Sequence, residues 1–591
     1  MRNLDYGVIG NCLSAAMISS RGTIEWCCLP HFNSQAVFAK ILDRERGGEF
    51  GLTVDGSYDI RQAYLPKTNI LATSFGNGRD DFELLDFMPR YKRGDRDYHC
   101  PPDIIRYIRV IRGAPRIQIR YNPRPYYGQH PARTEVRPEY LKTATTAGRY
   151  ETVYLYSDLE LAAIAEGRPL TIAKSCFMLL SYNQKLSPLD LDVIELEFEK
   201  TKVYWMDWSA NNQRFSEYNE EILRSALVLK LLTYQNSGAI LAALTTSLPE
   251  EIGAPRNWDY RFCWLRDASM TIAVLTRLKR HNIARRFIDF VLEIIPYKDE
   301  KIQIMYGING EKKLTEKTLD WLEGYEGSKP VRIGNAAHVQ RQNDIFGVLI
   351  DAIYQYLTIF KREKEENREG LWTVVRTLAR HLEATWYKKD DGIWEFRTTQ
   401  KHFTFSKMLS WVGMDRAMRI AEYFNRSDYA QKWDGVRAKI KADILSRGWD
   451  DSLQAFTQSY GEPYLDAANL LMAHYGFLAP DDARFAATVR LTRERLSREG
   501  LMYRYRNADD FGVPKSAFTI CTFWLIKSLY QIGEKQEARA LFQRVLGYRN
   551  HVGLLSEDMD FDSKRLLGNF PQAYSHLALI DAAITLTGDE T

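Results

Sequence analysis

The chain is short of cysteine. Its seven cysteines form no CxxC pair and no His/Cys cluster, which leaves no framework for structural zinc. The odd count and the adjacent pair Cys27 and Cys28 argue against a disulfide scaffold. An excess of one charge is also missing. The 80 basic residues stand against 76 acidic ones, a net charge of +4, so no electrostatic case arises for a nucleic-acid or membrane partner. The apolar runs are short and interrupted, too short for a transmembrane helix. The opening MRNLDYG lacks an apolar core and a cleavage pattern, so no signal peptide is expected, and a cytoplasmic, reduced setting is the default. GxGxxG, Walker, GxSxG and HExxH patterns are absent, which weakens dinucleotide, NTPase, serine-hydrolase and metalloprotease readings.

What is present is a long, ordinary globular composition with many aromatics. At 591 residues the chain exceeds one core, and two or more domains are expected. Hydrophobic residues make up 45% and aromatics 13%, with 34 Tyr and 13 Trp, which suits carbohydrate binding but equally a thick core. Up to about residue 210 the chain reads as strands. Arg116–Tyr121 and Glu195–Glu199 alternate polar and apolar residues, and Arg106–Ile111 is rich in β-branched and aromatic ones. Gly113–Pro115 between two such runs predicts a hairpin turn, and many short strands predict an antiparallel sandwich. From about residue 215 the period becomes helical. Glu220–Tyr234 carries apolar residues at helical spacing, and further helices are expected over Ala268–Leu278, Ala284–Ile295, Asp344–Phe360, Leu371–Trp386, Asp415–Tyr423, Ala467–His474, Ala517–Ile532 and Ala573–Leu586. About a dozen helices joined by long polar-aromatic loops predict a toroid of helical hairpins with a loop-built pocket at one rim. The expected division is a sandwich over 1–210, a linker with a first helix over 211–250, and the helical toroid over 251–591.

Four segments carry candidate chemistry. NWDYRFCWLRDA (Asn257–Ala268) sets Trp258, Tyr260 and Trp264 beside the pairs Asp259/Arg261 and Arg266/Asp267. Aromatic faces and paired charged hydrogen-bonders suit a sugar ring, which has apolar C–H faces and a rim of hydroxyls. A structural Arg–Asp pair at a helix start explains the same residues. KDDGIWEFR (Lys389–Arg397) places Glu395 next to Trp394. A carboxyl held against an indole loses hydration, which suits it to act as a general acid. The alternative is a surface pair with Arg397. GLLSEDMDFD (Gly553–Asp562) crowds Glu557, Asp558, Asp560 and Asp562 into one loop, and GNFPQAYSH follows at a helix start. The loop lacks the Gly and terminal Glu of an EF-hand, leaving a water-activating carboxylate or a solvated acidic turn. The Gly-rich segment Leu322–Ala336, followed by Gln340–Asp344, has the character of a rim loop lining a sugar site.

Taken in order, NWDYRFCWLRDA, YGINGEKKLTEKTLDWLEGYEGSKPVRIGNAAHVQRQND, DDGIWEFR and LLSEDMD with GNFPQAYSHLALIDAA resemble the bacterial and archaeal branch of glycoside hydrolase family 15. The opening NLDYGVIGNCLSAAMISSRGTIEWCCLP is similar to the start of that branch's β-domain, so the resemblance covers nearly the whole chain. It implies an N-terminal antiparallel β-supersandwich followed by an (α/α)6 barrel, with an inverting mechanism. By motif match Glu395 is the general acid and Glu557 the general base. Arg266 and Asp267 match the pair that holds the terminal glucose, and Tyr260 and Trp264 match aromatics beside it. Trp394 and Trp411 (in LSWVG) are further candidate walls. Inversion requires the two carboxyl groups to stand about 6.5–9.5 Å apart, leaving room for a water. The leading expectation is an exo-acting α-glucoside hydrolase of the glucoamylase type on α-linked gluco-oligosaccharides. Trehalase or isomaltose/dextran activity is the alternative within the family. An inverting disaccharide phosphorylase and a non-catalytic glucan-binding regulator are the alternatives outside it. No cofactor and no metal-ligand cluster is read, any need for phosphate or an ion stays open, and the expected partner is an α-linked glucose oligosaccharide or disaccharide, with no nucleic acid and no membrane. Oligomeric state and linkage preference are not encoded in these motifs.

Overall fold

The structure is a computed structural model, and it describes residues 3–95, 97–187, 189–295, 301–360 and 367–588. The chain divides into two compact units. The first comprises residues 1–212 with 318–331 and 549–554, and the second comprises 213–317, 332–548 and 555–591.

The first unit is built on two antiparallel sheets. One runs Tyr6–Gly10, Ala15–Ser19, Ile24–Cys28, Glu49–Thr53, Arg116–Asn122 and Pro169–Thr171, with Ala36–Phe38 paired to the third strand. The other has eight strands and places Asp103–Arg112 between Asp81–Phe87 and Cys176–Tyr182. Asp103–Arg112 and Arg116–Asn122 lie in different sheets, so Gly113–Pro115 is a crossover between sheets and not the expected hairpin turn. Glu195–Glu199 is likewise not a strand. It sits inside the helix Leu191–Ala210, whose buried residues Ile194, Phe198, Thr201, Trp205 and Ser209 recur at helical spacing. The helix starts where Asp190 accepts a 3.0 Å hydrogen bond from the Val193 N–H. The alternation read there is the exposed-acid face of an amphipathic helix seen over five residues, too short a window to separate the two periods.

A buried ion pair ties the two sheets together. Arg106 Nε and Nη2 donate to Asp86 Oδ1 and Oδ2 at 2.8 and 3.1 Å, and Nη1 donates to the Phe50 carbonyl in the opposite sheet at 2.6 Å. Both side chains are fully buried. Arg106→Leu leaves an uncompensated carboxylate in the core and is expected to destabilise this unit by about 3–5 kcal/mol. Replacing Asp86 by Leu as well should recover much of that loss. Urea unfolding of the two variants reads both effects, and equal midpoints for wild type and Arg106→Leu would refute the assignment.

The second unit is a ring of helices. Its inner segments are Leu265–Arg277, Asp344–Ile359, Thr404–Tyr423, the 3-10 turn Ala467–Leu471, Thr519–Gln531 and Ala573–Thr587, each packed on the next and the last on the first. Outer helices Asn219–Leu231, His281–Ile294, Arg368–Thr385, Ser427–Arg447, Ala483–Leu496 and Lys535–Leu546 alternate with them along the chain. The inner helices are buried on nearly all sides, as in Phe405–Asp415, while the outer ones bury only a stripe, as Ala430, Trp433, Ile440 and Ile444 do in Ser427–Arg447. That narrow stripe on a charged helix is the reason the last three outer helices are not evident in the sequence. The expected helix at Ala467–His474 is instead a short 3-10 turn over Ala467–Leu471, capped by Asp466, which accepts from the Ala468 N–H at 2.8 Å. No described helix is long and apolar enough to cross a membrane.

Candidate active site

The N-terminal ends of the inner segments meet at one end of the ring. A pocket opens there, with about 760 Å3 of free space when the solvent at its mouth is included. Tyr260, Trp264, Arg266, Asp267, Trp394 and Glu395 all line it, so residues far apart in sequence converge on one site.

Glu395 sits on a tight loop with φ of +61°, a left-handed conformation that costs a non-glycine residue about 1–2 kcal/mol. The loop is held by the Phe396 N–H donating to the Asp391 carbonyl (3.0 Å) and by Gln340 Nε2 donating to the Glu395 carbonyl (3.2 Å). Its carboxyl is a quarter exposed. Trp264 Nε1 donates to Oε1 at 2.8 Å, Gln342 Nε2 donates to the same oxygen at 3.3 Å, and Arg266 Nη2 stands 3.8 Å from it. The indole beside Glu395 is therefore that of Trp264. Trp394, expected to shield it, turns Nε1 to the Asp466 carboxylate (2.9 and 3.0 Å) and packs its ring on Phe518 and Trp524.

Arg266 is locked from several sides. Its Nε donates to Tyr574 Oη at 2.6 Å, and Nη1 donates to Gln342 Oε1 and to Asp344 Oδ2 (3.2 Å). Asp267 Oδ1 lies 3.5 Å from Arg266 Nε and makes no hydrogen bond, although Asp267 is buried. A buried acceptor left open in a cavity wall is costly unless a ligand hydroxyl fills it. Burial pushes the Asp267 carboxyl up to about 6, with Arg266 opposing the shift.

Glu557 lies deeper. It is 1% exposed and does not itself line the cavity. Tyr260 Oη donates to its Oε1 at 2.5 Å, and the Asn569 N–H donates to Oε2 at 3.2 Å. Gly568, at φ +72°, passes so close that a β-carbon there would stand 2.8 Å from Oε2. Burial first, then the Glu250 carboxylate, push the Glu557 carboxyl up to about 8. Tyr260 and Trp264 stand edge to face, with ring centroids 5.4 Å apart, and so link the two glutamates.

The other predicted residues divide. Asp259 and Arg261 form a buried bidentate pair (2.8 and 2.7 Å) outside the cavity, a structural role. Trp411 also lies outside it, on an inner helix face that packs against Phe477 and Lys441, so it forms no wall. No residue of Leu322–Ala336 is among those lining the cavity, and residues 318–331 belong to the strand-rich unit, but Arg332 of this segment stacks on the lining residue Trp258. Gln342 and Asp344 just beyond it do matter, because both hold Arg266. Sequence reasoning missed Glu250, Arg504, Gln572 and Tyr574, all of which line the cavity. The first two sit in stretches without a local pattern. Gln572 and Tyr574 lie within GNFPQAYSH, where only the position at a helix start drew notice. At the mouth, Arg397 and Arg332 stack over Trp258 at 4.1 and 4.4 Å.

Among the described residues, Glu250, Glu557 and Asp558 form the one group whose carboxylate oxygens lie close enough, within 4.8 Å, to take a cation. Arg504 already places a guanidinium on this group, with Nη2 donating to Glu250 Oε2 at 2.7 Å.

Comparison with known proteins gives the family. The family model Glycosyl hydrolases family 15 matches residues 216–584, and the model Trehalase-like, N-terminal matches residues 5–158. The chain is 35% identical to a trehalase of Mycolicibacterium smegmatis, over 98% of this chain and 90% of the relative. It is 34% identical to a trehalase of Thermoplasma volcanium (98% and 92%) and 30% identical to Trehalase 2 of Sulfolobus acidocaldarius (98% of each). A bacterial glucoamylase solved in complex with acarbose shares the fold with a TM-score of 0.72 at 13% identity, over 99% of this chain and 94% of the other.

Proposed function

The chain belongs to the glycosyl hydrolases of family 15 and is a glycosidase acting on α-glucosides; we propose that its substrate is trehalose, cleaved with inversion. The observation that carries this reading is the similarity to named trehalases along essentially the whole chain, strand-rich unit included. It reorders the sequence expectation, which put malto-oligosaccharides first.

The residues supply a mechanism. The open acceptor of Asp267 and the fixed Arg266 hold the hydroxyls of one glucose, and Tyr260 and Trp264 face its ring. Glu395 donates its proton to the bridging oxygen as the C–O bond breaks. Trp264, Gln342 and Arg266 gather on Oε1, which assigns the transferable proton to Oε2. A water attacks the opposite face of the anomeric carbon and gives its proton to Glu557. One α- and one β-glucose leave in equal amounts.

Proton NMR of early products from trehalose, maltose and isomaltose tests the reading. Fastest turnover of trehalose with equal α- and β-glucose is expected. Two α-glucose molecules would rule out inversion, and faster maltose cleavage would return the glucoamylase reading. Asp267→Ala should weaken binding of a glucose-type iminosugar by about 1–3 kcal/mol in calorimetric titration. Unchanged affinity would make the Arg266/Asp267 pair structural.

A further inference from the structure

We infer that Glu250 is a positioning residue for this reaction: with Glu557 and Asp558 it forms one buried proton-sharing cluster, and its carboxylate on the cavity wall sets the pH at which Glu557 can take a proton. The inference rests on Glu557 being the base.

The charge count leads to it. Glu250, Glu557 and Asp558 are 4%, 1% and 1% exposed, with carboxylate oxygens within 4.8 Å of one another. Three ionised carboxylates would face the guanidinium of Arg504, which is bound to Glu250. Arg256 also acts on Glu250, but it brings its own carboxylate, Asp509, in a bidentate pair at 2.9 and 2.6 Å, so the excess of negative charge stays the same. The remaining neighbours are neutral donors: Tyr260 Oη and the Asn569 N–H on Glu557, and the Ser516 hydroxyl on Asp558 Oδ1 at 2.7 Å. Glu395 is the other carboxyl acting on Tyr260. A buried site cannot hold that excess of negative charge, so the cluster retains a proton.

The geometry also says where it rests. Asp558 Oδ2 is buried without a hydrogen-bond partner, a poor place for a carboxylate oxygen but an acceptable one for a protonated carboxyl. With the proton on Asp558, Glu557 is free to accept the water's proton. Glu250 lines the cavity whereas Glu557 does not, so the charge that tunes the base is the one that faces the substrate. Burial and the charges of Glu250 and Glu557 both push the Asp558 carboxyl up, in keeping with this placement.

The test is the pH profile of kcat/KM on the fastest α-glucoside. Glu250→Gln removes an anion beside Glu557 and frees Arg504, and both changes favour ionised Glu557. The acid limb should move down by at least one pH unit, whatever the plateau, and Glu250→Asp should restore it. A loss of rate with an unmoved limb is the result of a merely structural role and overturns the inference. A wild-type limb that moves on adding Mg2+ overturns it too, since a cation would then neutralise the cluster. A second readout needs no turnover. Carboxyls whose folded pKa is raised contribute stability that is full below the unfolded value, about 4, and is lost as pH rises through the folded value. Thermal unfolding should therefore show Glu250→Gln gaining Tm over wild type as pH rises from the variant's lowered folded value toward about 8. Parallel curves overturn the shared proton. A diverging pair of curves with no glycoside cleaved by the wild type overturns the catalytic role of Glu557 instead.

Discussion

Glu395→Gln is expected to lower kcat on trehalose by about 10²–10⁴-fold, the range a positioned general acid supplies. The glutamine keeps the size of the side chain and can still accept from Trp264 Nε1, so fold and substrate binding should survive. What disappears is the proton for the departing sugar oxygen. A substrate whose leaving group needs no proton separates this effect from a structural one. Hydrolysis of α-glucosyl fluoride should fall far less than that of trehalose. Equal losses on the two substrates would mean that Glu395 positions the sugar and does not protonate it.

Glu557→Gln should produce a loss of similar size with the opposite signature. The water still needs a base when fluoride departs, so α-glucosyl fluoride should suffer as trehalose does. The wild-type pH profile carries an independent sign. As the proposed base, Glu557 would act only when ionised, and burial with the neighbouring Glu250 charge pushes its carboxyl up to about 8. Proton binding removes the base, so kcat/KM should decline as pH falls below about 8, approaching tenfold per unit. The limb belongs to the three-carboxyl cluster as a whole. A flat profile between pH 6 and 8 would take the base role away from Glu557.

These tests concern residues that differ in how far the sequence exposes them. NWDYRFCWLRDA was legible because aromatics and charges crowd into twelve residues. Glu395 and Glu557 were legible through the motifs around them. Glu250 and Arg504 were not. Their 2.7 Å contact joins positions 254 apart, and nothing in LPEEIG marks Glu250 out from its neighbour Glu251. Tyr574 reaches Arg266 across 308 residues for the same reason. Trp411 shows the reverse error. An aromatic on an inner helix passes for a pocket wall, but the rotation of that helix turns it toward Phe477 and Lys441, away from the cavity lining.

What the sequence determined alone is local. Period-2 and period-3.6 patterns separate a strand-rich N-terminal part from a helical remainder, and motif order points to the family. Short windows failed where the two periods coincide, as at Glu195–Glu199 within its helix. The tertiary structure decided which ends of the inner helices converge, which carboxylates share one buried site, and which aromatics line the cavity beside it. The physical reason is that a ring closes through packing of non-consecutive segments. Desolvation and charge coupling between those segments arise only after closure, so no stretch of chain carries them by itself.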